Sequence, residues 1–146
     1  MKKTFYITIA LIVFTFAAAG TSLACSCIAS RASEKRQVSD SYKHSAAIFS
    51  GKVTTMKLTE DGNYFTVTFE VKDSWKGAAA REITVKTAKD SSMCGFNFET
   101  GEEYLVYTYG SADDLGVENC SRTSGLGNNS DSKYLAKLKK KHAAKH

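Results

Sequence analysis

The placing of four cysteines constrains this chain more than any other feature: Cys25 and Cys27 flank a single serine, and the other two follow far downstream at Cys94 and Cys120. The stretch before Cys25 reads as an export signal. Lys2 and Lys3 make a basic start, "FYITIALIVFTFAAA" is an apolar run of 15 residues, and Ser22-Leu23-Ala24 puts small residues at both recognition positions. A membrane span is the weaker reading, because a span needs about 20 apolar residues and this run breaks at Gly20, Thr21 and Ser22. Cleavage after Ala24 makes Cys25 the first residue of the mature chain. All four cysteines then belong to an exported protein, secreted or periplasmic, for which two disulfides are the default expectation. The same junction admits a bacterial lipoprotein reading with a lipid-anchored Cys25, although Ser22 and Leu23 fit that signal poorly.

Residues 25–146 amount to one domain, large enough to bury a core. Loss of Lys2 and Lys3 lowers the formal charge from +5 to +3, and most of that excess lies in the terminal "KYLAKLKKKHAAKH". The body is therefore nearly neutral and lacks the basic footprint of a nucleic-acid binder. The expected organisation is a signal peptide over 1–24, a barrel domain over 25–130 and a basic tail over 131–146.

After the CSC start, "SRASEKRQVSDSYKHSA" sets Val38 and Tyr42 four apart, as on one face of a short helix. The period then changes to two. "AAIFSGKVTTMKL" and "NYFTVTFEVKDSW" are joined by Glu60-Asp61-Gly62-Asn63, a turn with hairpin chemistry, and predict a long antiparallel hairpin. "REITVKTA" and "EEYLVYTYG" are further strands, and "GVENCS" supplies a fifth. Phe65, Val67, Phe69 and Val71, with Ile83, Val85, Leu105, Val106 and Tyr107, are the expected core, and Trp75 is expected to close one end. Alternation does not say which face of "YLVYTY" points inward. Five strands with one or two flanking helices predict a mainly β protein, a small closed or partly open barrel, with a sandwich as the alternative.

"SRTSGLGNNSDS" reads as a surface loop. The tail after it can form an amphipathic helix with Tyr134, Leu135 and Leu138 on one side and a cap at Asp131 or Ser132. It is expected to be dispensable for the barrel, its lysines suiting weak contact with anionic surfaces.

Little in the chain suggests an enzyme or a cofactor. His142 and His146 have the spacing of a helical metal pair but stand among lysines with no third ligand, and His44 is alone. The CxC pair has three readings. Cys25 and Cys27 could pair with each other as a redox dithiol, leaving Cys94 and Cys120 as the second pair. Each could instead be tied to a distant partner, closing loops of roughly 70 and 90 residues that contribute at most about 4 to 5 kcal/mol apiece. The third reading adds that two staples so close together hold the new N-terminus rigid and presented, which is the geometry of a ligand.

Taken in order, "CSC" at the mature start, "FSGKV", "FEVKDSWKG", "SMCGFNFETGEEYLVY" and "ENCS" resemble the N-terminal, netrin-like domain of the tissue inhibitors of metalloproteinases, over Cys25 to about Gly125. The resemblance implies a five-stranded Greek-key barrel of the oligonucleotide/oligosaccharide-binding (OB) type, with Cys25 paired to Cys94 and Cys27 to Cys120. It also implies a monomeric inhibitor whose partner is a zinc metalloproteinase and which holds no metal of its own. The α-amino nitrogen and carbonyl oxygen of Cys25 would chelate the protease zinc, and Ser26 would enter the pocket just past the scissile bond. Cys27 and Ile28 would lie alongside, with Ser91, Ser92 and Met93 as a second contact ridge. Netrin-like barrels elsewhere bind proteins or glycans without touching a zinc site, and a non-inhibitory binding module is the alternative. The third disulfide and second domain of vertebrate family members have no counterpart here, and the chain contains no proline.

Overall fold

The computed structural model describes residues 25–77, 80–128 and 130–144, so the signal-peptide reading of 1–24 and the partner of His142 at His146 lie outside the described residues. A helix, α1 (Glu34–His44), precedes strands β1 (Ile48–Leu58), β2 (Tyr64–Lys76), β3 (Glu82–Ala88), β4 (Glu103–Tyr107), β5 (Tyr109–Ser111), β6 (Asp114–Gly116) and β7 (Ser124–Gly125), and a second helix, α2 (Ser132–Ala143), ends the fold. The strands form one curled, half-barrel sheet in the order β5-β6-β3-β2-β1-β4-β7. All pairs are antiparallel except β3 with β6.

The β1–β2 hairpin is the one its turn residues predict. Asp61 accepts the Asn63 amide at 3.1 Å and the Thr59 hydroxyl at 2.5 Å, while Gly62 takes the positive φ of 71° that the turn requires. Register shifts at Ile48/Phe49, Ser50/Gly51 and Val53/Thr55 bend β1, as bulges do, and curl the sheet around its inner face. At one bend a Cβ on Gly51 would stand 2.7 Å from the Glu70 carbonyl oxygen, so this approach needs glycine.

Two cores lie on opposite faces of the sheet. Inside the curl, Phe49, Val53, Val67, Phe69, Ile83, Val85, Phe98, Tyr104, Val106 and Val117 are buried together, with Phe65 and Val71 half-buried at the margin. Phe69 meets Phe49 and Phe98 edge-on at 5.4 and 5.1 Å, the favoured aromatic geometry. On the outer face, Ile48, Leu105 and Tyr107 pack under α1 and α2 against Val38, Tyr42 and Leu135. Leu105 and Tyr107 thus belong to this second core, and Trp75 packs there as well. The question of which face of "YLVYTY" is inward has a double answer, because β4 is buried on both sides.

Four expectations need correction. Among the described residues, seven strands stand where five were expected. The "EEYLVYTYG" run breaks at Thr108, whose side chain and backbone bond Ala46 and Ala47, and the chain then doubles back through Gly110 as the β5–β6 hairpin. "GVENCS" makes only its first residue part of a strand, β6 falling just upstream, because the Asn119 amide is drawn to the Cys94 carbonyl at 2.7 Å. The segment from Asp131 onward packs on the sheet instead of trailing from it: Leu135 is fully buried, and Tyr134 and Leu138 pack beside it. Asp131 occupies the N-cap position of α2 but makes no side-chain cap, for its carboxylate is spent elsewhere.

Candidate functional site

The strand β3 delivers the chain to a tight knuckle. Asp90 O accepts the amides of Met93 and Gly95, closing a single 3-10 turn over Ser91–Met93. Cys94 follows in the left-handed conformation, φ 63°, which costs a non-glycine residue energy and is held here by its surroundings. The next residue lies against the strand it has just left: a Cβ on Gly95 would stand 1.9 Å from Ala88 O. This close approach explains the Cys-Gly-aromatic step, and the Phe96 amide beyond it donates to the buried Thr87 hydroxyl at 2.8 Å.

Both disulfides are formed, Cys25 with Cys94 and Cys27 with Cys120, with Cα–Cα separations of 5.2 Å in each. The Cys25 and Cys120 sulfurs lie 3.9 Å apart. Neither carries a proton, so the contact is packing between bridges. Together with the Asn119–Cys94 hydrogen bond it makes one unit of the two staples. Because the Cys25 sulfur is taken, this bridge and a lipid thioether at the same atom exclude one another.

The Cys25–Cys94 bridge brings the two predicted stretches, 25–28 and 91–93, side by side. Ser26, Cys27, Ile28, Ser91, Ser92 and Met93 are all exposed and Cys25 is half-buried. Ile28 is 96% exposed and Met93 45%, an apolar side chain on each stretch facing water. Isolated exposed apolar residues are ordinary, but these two stand on neighbouring segments held by covalent staples.

What sequence reasoning missed lies beneath the N-terminal segment. A groove of about 620 Å³ separates residues 28–30 from α1 and the chain after Cys120. On its floor Arg122 grips Asp131 with two hydrogen bonds, Nε to Oδ2 at 2.8 Å and Nη2 to Oδ1 at 2.7 Å, and reaches Gln37 of α1 at 3.0 Å. The Tyr107 hydroxyl donates to the same carboxylate at 2.8 Å. Thr123 adds a bond from the Tyr107 amide at 3.0 Å. Paired in this way, Asp131 raises the Arg122 pKa further, and burial followed by the adjoining carboxylate pushes the Tyr107 phenol far above its ordinary range. The network fastens the Cys27–Cys120 staple to β4, α1 and α2 at once. A charged residue in a Ser/Gly/Asn loop reads as solvated, and no local signal marks Arg122 and Asp131 as partners.

In comparisons with known proteins, no family profile and no curated protein sequence matches the chain. Two disulfides suit an oxidising compartment, and among the described residues no helix is long and apolar enough to cross a membrane.

Proposed function

We propose that the mature chain beginning at Cys25 inhibits zinc metalloendopeptidases, and that its sheet is a short netrin-like barrel of the OB type. One observation carries the reading: Cys25 is half-buried and Ser26, Cys27 and Ile28 are exposed, yet both cysteines are stapled to the Cys94 and Cys120 segments, next to an exposed ridge at Ser91–Met93. A terminus fixed in this way loses little freedom on binding, which is what makes a short contact strong.

A catalytic zinc keeps one coordination position open for water. A neutral amine with its adjacent carbonyl fills that position as a bidentate ligand. The α-amino group has an ordinary pKa of about 7.7 to 8.0, so near neutral pH it gives up its proton to the metal at modest cost. Ser26 then enters the substrate pocket just past the metal, while Ile28 and Met93 cover the cleft on either side. The protein contributes no metal and no catalytic group; it blocks.

The test compares three forms against a panel of zinc endopeptidases: the native Cys25 terminus, a form retaining Ala24, and a carbamylated form. Only the first should inhibit. Retaining Ala24 turns the nitrogen into an amide, and carbamylation draws its lone pair into a urea carbonyl, so neither nitrogen is left to bind the metal. Equal inhibition by all three refutes chelation; no inhibition by the native form across a broad panel favours the non-inhibitory binding module. Ser26→Gly leaves the chelate in place and should redistribute selectivity among the enzymes.

A further inference from the structure

We propose that the outer face of α2 docks the protein onto a membrane surface rich in anionic phospholipid, through contacts separate from the Cys25 ridge. The helix carries five lysines and no acidic residue. Lys133, Lys137, Lys140 and Lys141 are all exposed and recur at the spacing of one helical stripe, about 12 Å long at 1.5 Å per residue. The opposite side is occupied, since Leu135 is fully buried against Val38, Tyr42, Ile48, Leu105 and Tyr107. Lys139 is also committed, donating to the Ser74 carbonyl at 2.7 Å.

The carboxylates near this face do not cancel the charge of the stripe. Asp131 is held by Arg122. Glu34 accepts the Ser130 hydroxyl, and Asp40 lies between Arg36 at 3.9 Å and Lys43 at 3.1 Å. Between the C-terminal halves of the helices is a cleft of about 200 Å³ lined by Ser39, Tyr42, Lys43, Leu138, Lys141 and His142. Lys141 stands at this cleft beside the stacked Tyr42 and His142 rings, 5.2 Å between centroids, while Lys43 is held by Asp40. An exposed lysine stripe along one side of a packed helix matches separate headgroups lying in a plane. A continuous polyanionic chain would want a groove along its length.

Because the apolar face of α2 is already packed on the barrel, the contact is electrostatic and does not insert. That separates it from an amphipathic helix, which buries its apolar face among the acyl chains. Each lysine at an anionic surface is worth roughly a fivefold gain in partition, so the four together are worth several hundred-fold at low ionic strength. The attraction falls with added salt as the screening length shrinks to a few ångströms.

The test is co-sedimentation of the full mature protein with vesicles of phosphatidylcholine, alone or mixed with phosphatidylglycerol. Binding should require phosphatidylglycerol and vanish at high salt. It should drop several hundred-fold in the Lys133→Gln/Lys137→Gln/Lys140→Gln/Lys141→Gln variant, with Trp75 emission unchanged on binding. Lys52→Gln/Lys57→Gln, on exposed positions of β1, should bind as the parent does, whereas Lys133→Gln/Lys137→Gln, which removes the same charge from the stripe, should bind about 25-fold more weakly; this pair controls for total charge. Equal binding to neutral vesicles overturns the proposal. So does an equal loss from the β1 variant, or capture by soluble polyphosphate without capture by phosphatidylglycerol vesicles. The parent protein's salt dependence and lipid requirement decide the question even if the fourfold variant folds poorly.

Discussion

Truncating Leu135 to alanine asks whether α2 is a structural part of this domain. The side chain is fully buried among Val38, Tyr42, Ile48, Leu105 and Tyr107. The change removes roughly three methylene equivalents, or about 2.4 kcal/mol at about 0.8 kcal/mol each. The space left behind adds a smaller cavity term, held down because a terminal helix can settle into it, and the total comes to about 3 kcal/mol. Alanine is a good helix former, so no loss of helix propensity inflates the figure. In urea melts followed by far-UV circular dichroism and by Trp75, the sole tryptophan, which packs on the same cluster, the midpoint should fall with an unchanged slope. The thermal midpoint should drop by about 10 °C for a domain of this size. A loss no larger than the ~0.5 kcal/mol of an ordinary surface substitution would refute the packing of α2.

Gly95→Ala forces a Cβ to within 1.9 Å of Ala88 O and should cost about 1 to 3 kcal/mol as overpacking does, read as a lower urea midpoint; an unchanged midpoint contradicts the close approach. Tyr107→Phe tests the network through pH. Burial and Asp131 raise the folded-state pKa of this phenol well above the ordinary value of about 10, so its contribution is fully present below pH ~10 and is lost as pH rises beyond it. The variant should be less stable near neutrality and show a shallower alkaline decline, the remaining slope coming from Tyr42, Tyr104 and Tyr109, whose pKa values are also raised. Identical alkaline slopes in the two proteins would remove Tyr107 from the account.

Elements that bury one face were plain in the sequence. Val38 and Tyr42 announce α1 because a helix packed on one side needs apolar residues four apart, and Phe65 to Val71 announce β2 by strict alternation. Where both faces are buried, alternation disappears, so Tyr104 to Tyr107 could be read as a strand but not oriented. The second core was hidden for the same reason: Leu105 and Tyr107 were legible as apolar, yet nothing local says that helices cover them. The role of α2 was obscured by composition, since lysines outnumber its three packing residues and an amphipathic pattern does not say what its apolar side packs on. Ser26, Ile28 and Met93 were legible as a set through the resemblance, and the two disulfides that unite them are those it implied. The Arg122–Asp131 clasp was not, because a contact between two loop residues is a property of the folded chain and leaves no periodic trace.

The central claim is that the free amine and carbonyl of Cys25 enter the coordination shell of a protease metal. Its most direct measurement uses an inhibited endopeptidase in which cobalt replaces zinc, whose visible absorption reports the ligand set. Titration with the native protein should change that spectrum and saturate at one equivalent, while the form retaining Ala24 should leave it as it was. A protein that inhibits fully and leaves the cobalt spectrum untouched would be occluding the cleft without reaching the metal, and the chelation mechanism would be wrong.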